Sequence, residues 1–194
     1  VWTRMYGANF PEWGNCVRQA ANGDLVIGGA RGTSNNNMEA AVLRTDADGN
    51  RLWWKFYGGS DYDWGEHLIL ADDGSIYVLG HGSIIWEDLM QSFIVKLTSD
   101  GTVAWTRKYG LHTYYDYARS AAPDGEGLLV FGVVKNSDTA LNRCCLFRIS
   151  GDGAISDYKY WNAPGSEWGE SICRDSQGNF MAVGQTNARG AGQY

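Results

Sequence analysis

Residues 53–101 read WWKFYGGSDYDWGEHLILADDGSIYVLGHGSIIWEDLMQSFIVKLTSDG, and the rest of the chain restates that phrase with a period of 51 to 53 residues. Trp53 is matched by Trp2, Trp105 and Asp157, and Tyr57 by Tyr6, Tyr109 and Trp161. The acid-aromatic-small phrase Asp63-Trp64-Gly65 returns as Glu12-Trp13-Gly14, Asp116-Tyr117-Ala118 and Glu167-Trp168-Gly169. Gly80 closes an apolar run, as Gly29, Gly132 and Gly184 do, and the Asp100-Gly101 turn recurs as Asp48-Gly49 and Asp152-Gly153. A period near fifty belongs to propellers and related arrays, in which each unit buries its apolar face only by stacking on a neighbour. The units fall at about 2–52, 53–104, 105–156 and 157–194.

Within a unit the pattern is four short strands. In the first, Asn15–Ala21, Leu25–Ile27, Ala41–Thr45 and Leu52–Tyr57 read as strands, separated by Asn22-Gly23, a polar loop and Asp48-Gly49. Asn-Gly and Asp-Gly tolerate positive φ, so two-residue hairpin turns are expected between them. The second unit gives His67–Ala71, Ile76–Leu79, Phe93–Leu97 and Val103–Tyr109; the third gives Arg119–Ala122, Leu128–Phe131, Cys145–Ile149 and Ile155–Trp161. Second strands are apolar at successive positions, as expected when both faces are covered. The expected fold is all-β, a β-propeller of four-stranded antiparallel blades with three complete blades. Glu170–Arg174 and Phe180–Val183 begin a fourth, and Trp2–Tyr6 reads as an outer strand without the preceding three, so the terminal pieces are split. A chain that starts at Val1 in this phase reads as processed or as part of a longer ring. A shared ring, with split blades completed by a second copy in a homo-oligomer or filament, is the other expectation, because open strand edges are templates for pairing.

Composition narrows function mostly by exclusion. The chain is 44% hydrophobic and 20% charged, with 26 Gly and only 3 Pro, which suits many short strands and glycine turns. A formal charge of −6 opposes a phosphate-tracking surface, so nucleic acid is not an expected partner. No apolar run approaches the roughly 20 residues of a spanning helix. There is no Gly-x-Ser-x-Gly, phosphate loop or nucleotide fingerprint, so no catalytic residue and no cofactor is assigned. His67, His81 and His112 fall at unrelated phases, and Cys16, Cys144, Cys145 and Cys173 form no Cys-x-x-Cys pair, so no metal is assigned either. The stretch Thr45–Asn50 superficially resembles a calcium loop, but Arg51 and Tyr57 stand where an EF-hand needs Gly and Glu. Cys16 and Cys173 both fall in first strands and would be bridged only if those strands approach within about 7 Å.

Two repeated rows remain. Trp-x-Lys/Arg-x-Tyr sets aromatic, cation and aromatic on one strand face, which reads as a contact between neighbouring blades. The acid-aromatic phrase is read as a loop between consecutive blades: Glu12, Trp13, Asp63, Trp64, Asp116, Tyr117, Glu167 and Trp168 are the candidate ligand-binding residues. A ring covers the apolar face of a sugar while an acid accepts its hydroxyls; the structural alternative is that the acids lock the loops and the rings wedge between blades. The long loops Gly82–Gln91 and Lys135–Arg143 differ between units and are further places for function.

Trp53-x-Lys55-x-Tyr57-Gly58, Asp61-Tyr62-Asp63-Trp64-Gly65, Asp72-Asp73-Gly74-Ser75-Ile76-Tyr77-Val78-Leu79-Gly80 and Phe93-Ile94-Val95-Lys96-Leu97-Thr98-Ser99-Asp100-Gly101 resemble repeats of secreted or surface-anchored bacterial and archaeal β-propeller proteins. That resemblance implies a propeller at an extracellular or cell-surface location, and carries no catalytic set to transfer. Asp157 and the run Tyr158-Lys159-Tyr160-Trp161-Asn162 depart from its pattern. The resulting expectation is a noncatalytic binding or scaffold module with a glycan or protein ligand. The alternative is a polysaccharide hydrolase or lyase using carboxylates on the channel face.

Overall fold

The computed structural model describes residues 2–7, 9–33, 37–59, 62–82, 91–110, 116–135, 141–161 and 164–187. His112, the interiors of the two long loops and the end of the chain lie outside them. Fourteen strands run in order: β1 (Glu12–Gln19), β2 (Leu25–Gly32), β3 (Met38–Thr45), β4 (Arg51–Tyr57), β5 (Asp63–Leu70), β6 (Ile76–Gly82), β7 (Gln91–Leu97), β8 (Val103–Tyr109), β9 (Asp116–Asp124), β10 (Gly127–Lys135), β11 (Asn142–Ile149), β12 (Ile155–Tyr160), β13 (Glu167–Arg174) and β14 (Phe180–Thr186). They form three four-stranded sheets, β1-β2-β3-β4, β5-β6-β7-β8 and β9-β10-β11-β12, and a two-stranded sheet β13-β14. Within each sheet the strands follow one another in sequence order, and no helix occurs among the described residues.

The Asp-Gly turns hold one residue more than the expected two. Asp46 N–H donates to Asn50 O at 2.9 Å and Gly49 N–H to Asp46 O at 3.1 Å, with Gly49 alone of the five supplying a left-handed φ of 78°. This is a longer hairpin closed by a glycine bulge, a geometry that Asp-Gly serves equally well. The leading acid finishes the turn: Asp46 Oδ1 accepts from the N–H of Asp48 at 3.0 Å and of Asn50 at 2.8 Å. The Asn50 side-chain amide, donating to Asp46 Oδ2 at 2.8 Å, and then these backbone bonds hold the Asp46 carboxyl below its ordinary range, and the hydroxyls of Thr98 and Thr102 hold Asp100 down to about 2. Hairpin chemistry accounts for the acids in the stretch Thr45–Asn50.

The aromatic-cation-aromatic row that ends one sheet grips the Asp-Gly turn of the following sheet. Lys55 Nζ donates to Asp100 O at 2.7 Å and Tyr57 Oη to Gly101 O at 2.8 Å. Tyr109 Oη donates to Gly153 O at 2.8 Å. A Cβ at Gly101 would stand 3.0 Å from Lys55 Cδ and 3.1 Å from the Trp53 ring, so the turn must be glycine for both its φ and its contact. Residues Trp2–Tyr6 grip the first turn in the same way without being a strand. Trp2 Nε1 donates to Ala47 O at 3.0 Å and Tyr6 Oη to Gly49 O at 2.7 Å. Side chains at alternate positions do the docking there, and no partner strand makes a ladder with this segment among the described residues, so the expected strand is a side-chain clamp.

The chain divides into two compact units: Val1–Asp88 with Phe93–Thr106, and Leu89–Ser92 with Arg107–Tyr194. In the first, β5 packs across β1, β2 and β3, and the core is built on Val26, Val42, Leu68, Ile76, Val78 and Leu97. In the second, β13 packs across β9, β10 and β11, around Ala122, Leu129, Phe131 and Ile172. Each large apolar side chain so enclosed contributes about 1.5–3 kcal/mol.

Candidate functional site

The acid-aromatic phrase does not lie in a loop: it opens the first strand of each repeat. Each of these strands is broken by a β-bulge after the small residue, between Gly14 and Cys16, Gly65 and His67, Ala118 and Ser120, and Gly169 and Ser171. One extra residue at that point shifts the alternation of buried and exposed positions, which is why the sequence pattern starts the strands three or four residues late. The bulge also explains the repeated second-strand glycine. A Cβ at Gly29, Gly80, Gly132 or Gly184 would stand 1.7, 2.3, 1.9 or 2.2 Å from the carbonyl oxygen of Trp13, Trp64, Tyr117 or Trp168. Phrase and glycine are thus two sides of one backbone crossing.

Neighbouring residues of a strand point to opposite faces, so acid and ring part company. The acids turn inward. Asp63 has no exposed surface, and its Oδ2 accepts from Gly59 N–H at 2.7 Å. Its carboxylate fills a cradle of glycines, since a Cβ at Gly58 or Gly82 would come within 2.5 or 2.3 Å of its oxygens. Asp116 is buried likewise; its backbone carbonyl accepts from Ser92 Oγ at 2.7 Å, and that Oγ accepts from Ala118 N–H at 2.6 Å. Glu12 Oε2 stands beside Gly7, and the Glu167 carboxylate is a lesser reason, after burial, for the rise of the Cys144 thiol to about 11. These four carboxylates act on the entry to each first strand.

The rings turn outward, and the two units differ. In the first unit Trp13 is 41% exposed and meets Trp64 at 5.2 Å between ring centroids, while Tyr62, also 41% exposed, stacks on Trp64 at 6.0 Å with planes 10° apart. Trp13, Trp64 and Tyr62 therefore form one continuous aromatic strip. Polar groups accompany it: the bulge residue Asn15 donates to Gly65 O at 2.7 Å, and the bulge residue Glu66 faces His81 Nδ1 at 3.3 Å, with His81 directly across the ladder from Trp64. In the second unit the bulge residue is Arg119, whose guanidinium lies 5.4 Å over the Tyr117 ring, and Trp168 is half-buried. Tyr62 is the member of the strip that the repeat pattern left out, because it sits one place before the phrase in a segment whose length varies between repeats.

Beneath the strip, Arg18 Nη2 lies 3.0 Å from His67 Nε2. Burial, and then the Arg18 charge, lower the His67 pKa to about 4, so the ring is neutral near pH 7 and accepts from the guanidinium. All four cysteines are free thiols, and no group of three His, Cys, Asp or Glu gathers as a metal would need among the described residues. Neither a known protein-family model nor a curated protein matches this chain.

Proposed function

We propose that the chain is part of a β-propeller acting as a noncatalytic extracellular or cell-surface binding module, with a carbohydrate held on the Trp13–Trp64–Tyr62 strip. The observation that supports this reading is the strip itself: three adjoining rings, Trp13 and Tyr62 exposed and Trp64 half-buried between them, edged by Asn15, Glu66 and His81. Amphipathic rings offer apolar area at low entropic cost, and neighbouring amide, carboxylate and imidazole groups supply hydrogen bonds to hydroxyls. The propeller reading rests on sheets of four consecutive antiparallel strands, each first strand packed on the sheet before it within its unit. Self-association belongs to the same proposal, since β14 pairs only with β13 among the described residues and exposes Met181 and Val183.

A glycan array, followed by Trp13→Ala, Trp64→Ala and Trp168→Ala, tests the binding site. Loss of at least about tenfold in affinity is expected for the first two, as for central aromatic anchors elsewhere, and little change for the third. Unchanged binding in all three rejects the site, and release of sugar products would replace the binder by a hydrolase or lyase. Light scattering on the 194-residue chain tests association, which a stable monomer at micromolar concentration rejects.

A further inference from the structure

A second cavity lies away from the strip, in the first unit, between the end of β4 and the strands β7 and β8. It has a volume of about 410 Å³ and is walled by Tyr57, Phe93, Val95, Val103 and Thr106, with Asp63 and the Gly58–Gly59 peptide at one end. That is within the range of small-molecule sites, which are mostly apolar with a few polar groups at fixed places. Tyr57 cannot swing in to fill it, because its hydroxyl is tied to Gly101 O at 2.8 Å.

The repeat shows why the space is there. In the first sheet, Leu43 pairs across the ladder with Trp54, and both line a smaller cavity of about 170 Å³ beside Tyr6 and Glu12. In the third sheet the equivalent pair is Phe147 and Tyr158. Phe147 is buried with its ring 5.4 Å from that of Tyr109, and the Tyr158 hydroxyl is buried and raised in pKa by burial, then by Cys145 and Asp116. Tyr109 and Asp116 are the counterparts of Tyr57 and Asp63. The second sheet alone carries small residues at both places, Val95 and Thr106, and so lacks the two rings that the third sheet supplies from its own chain.

We infer that this cavity binds a small hydroxylated aromatic ring, a para-substituted phenol, in the place that Tyr158 takes in the other unit. The ring lies against Phe93, Val95 and Tyr57, and its hydroxyl meets the exposed Gly58–Gly59 peptide at the polar end. The para position points to solvent past Val103, which is 47% exposed, so the phenol can be a free molecule or the tyrosyl side chain of a peptide.

The test is a methyl-region NMR titration of the intact chain with p-cresol, N-acetyl-tyrosinamide and toluene, on the wild type and on Val95→Phe/Thr106→Tyr. The double variant restores the third sheet's pair; Thr106→Tyr alone, on an exposed position of an outer strand, serves if the double variant does not fold. The expected result is saturable shifts of Val95 and Thr106 with p-cresol at about millimolar Kd, binding at least about fivefold weaker for toluene, and loss of both in the refilled variant, whose unfolding midpoint rises. Binding of p-cresol without N-acetyl-tyrosinamide assigns a free phenol; binding of both extends the site to a tyrosyl group. No shift with p-cresol, equal binding by toluene, or undiminished binding in the refilled variant overturns the inference.

Discussion

The two units share their framework and differ where a ligand would touch them. In both, a first strand opens with an acid and an aromatic, bulges, and passes a second-strand glycine so closely that no Cβ fits. In both, a tyrosine reaches the turn glycine of the following sheet at 2.8 Å. Yet the first unit joins the exposed Trp13 and Tyr62 through the half-buried Trp64 in one strip, whereas the second lays Arg119 over Tyr117. The first carries Val95 and Thr106 where the second carries Phe147 and Tyr158. The repeated positions include the rings themselves, and the units part at neighbours such as Arg119 and at the pair Val95 and Thr106.

If the framework is common, its disruption costs the same in either unit. Gly80→Ala and Gly132→Ala drive a Cβ into a carbonyl oxygen at 2.3 and 1.9 Å, and each is expected to lower stability by more than about 3 kcal/mol, or to abolish folding, in thermal or denaturant unfolding. Gly59→Ala, with nothing within 4 Å of its Cβ, should be nearly silent. A mild effect at Gly132 beside a severe one at Gly80 would break the equivalence. Next in size is Asp63→Ala, expected to cost about 2–4 kcal/mol because the Gly59 N–H and the glycine cradle lose their buried acceptor.

A pH effect separates the units. His67 has a folded pKa of about 4 against an ordinary 6.5, while its counterpart in the second unit is Ser120, which does not titrate. The unfolded chain takes up a proton below pH 6.5 that the folded chain refuses until about pH 4. The contribution of neutral His67 is therefore complete above pH 6.5 and lost as the pH falls from 6.5 to 4, by about 1–2 kcal/mol once solvent at the ring edge is allowed for. His67→Gln, which can still accept from Arg18, should flatten the stability profile over that window. A profile unchanged by the substitution would contradict the buried neutral ring. The smallest effect is expected of Arg119→Ala, which removes about 0.5–1 kcal/mol of cation–π contact and bares Tyr117.

Much of this framework is legible in the residues. The doubly buried second strands β6 and β10 show as unbroken apolar runs such as Leu128–Phe131, whereas β14, expected to be covered in the same way, is exposed from Met181 to Thr186; the Asp-Gly hairpins and the third and fourth strands stand close to where alternation puts them. The starts of β1, β5, β9 and β13 were hidden by the bulge, which reverses the parity of burial at Gly14, Gly65, Ala118 and Gly169. Trp2–Tyr6 carries the spacing of a strand because the same alternation serves to aim three side chains at one turn. As for the site, Trp13 and Trp64 were visible as repeated rings, but their contact with each other and with Tyr62 depends on packing between successive sheets. Burial of Asp63 and Asp116 follows from the same parity: once the strand includes them, they face inward while the rings beside them face out. The cavity at Val95 and Thr106 leaves no mark in its own repeat and emerges only when those positions are set against Leu43, Trp54, Phe147 and Tyr158.

The contrast between open and capped rings is tested most directly by isothermal titration of one array-selected glycan against the wild type, Trp64→Ala and Tyr117→Ala, with circular dichroism confirming that each is folded. Loss of at least about tenfold in affinity for Trp64→Ala and less than about twofold for Tyr117→Ala is the predicted result. Equal losses at the two positions, or affinity unchanged by Trp64→Ala, would contradict it.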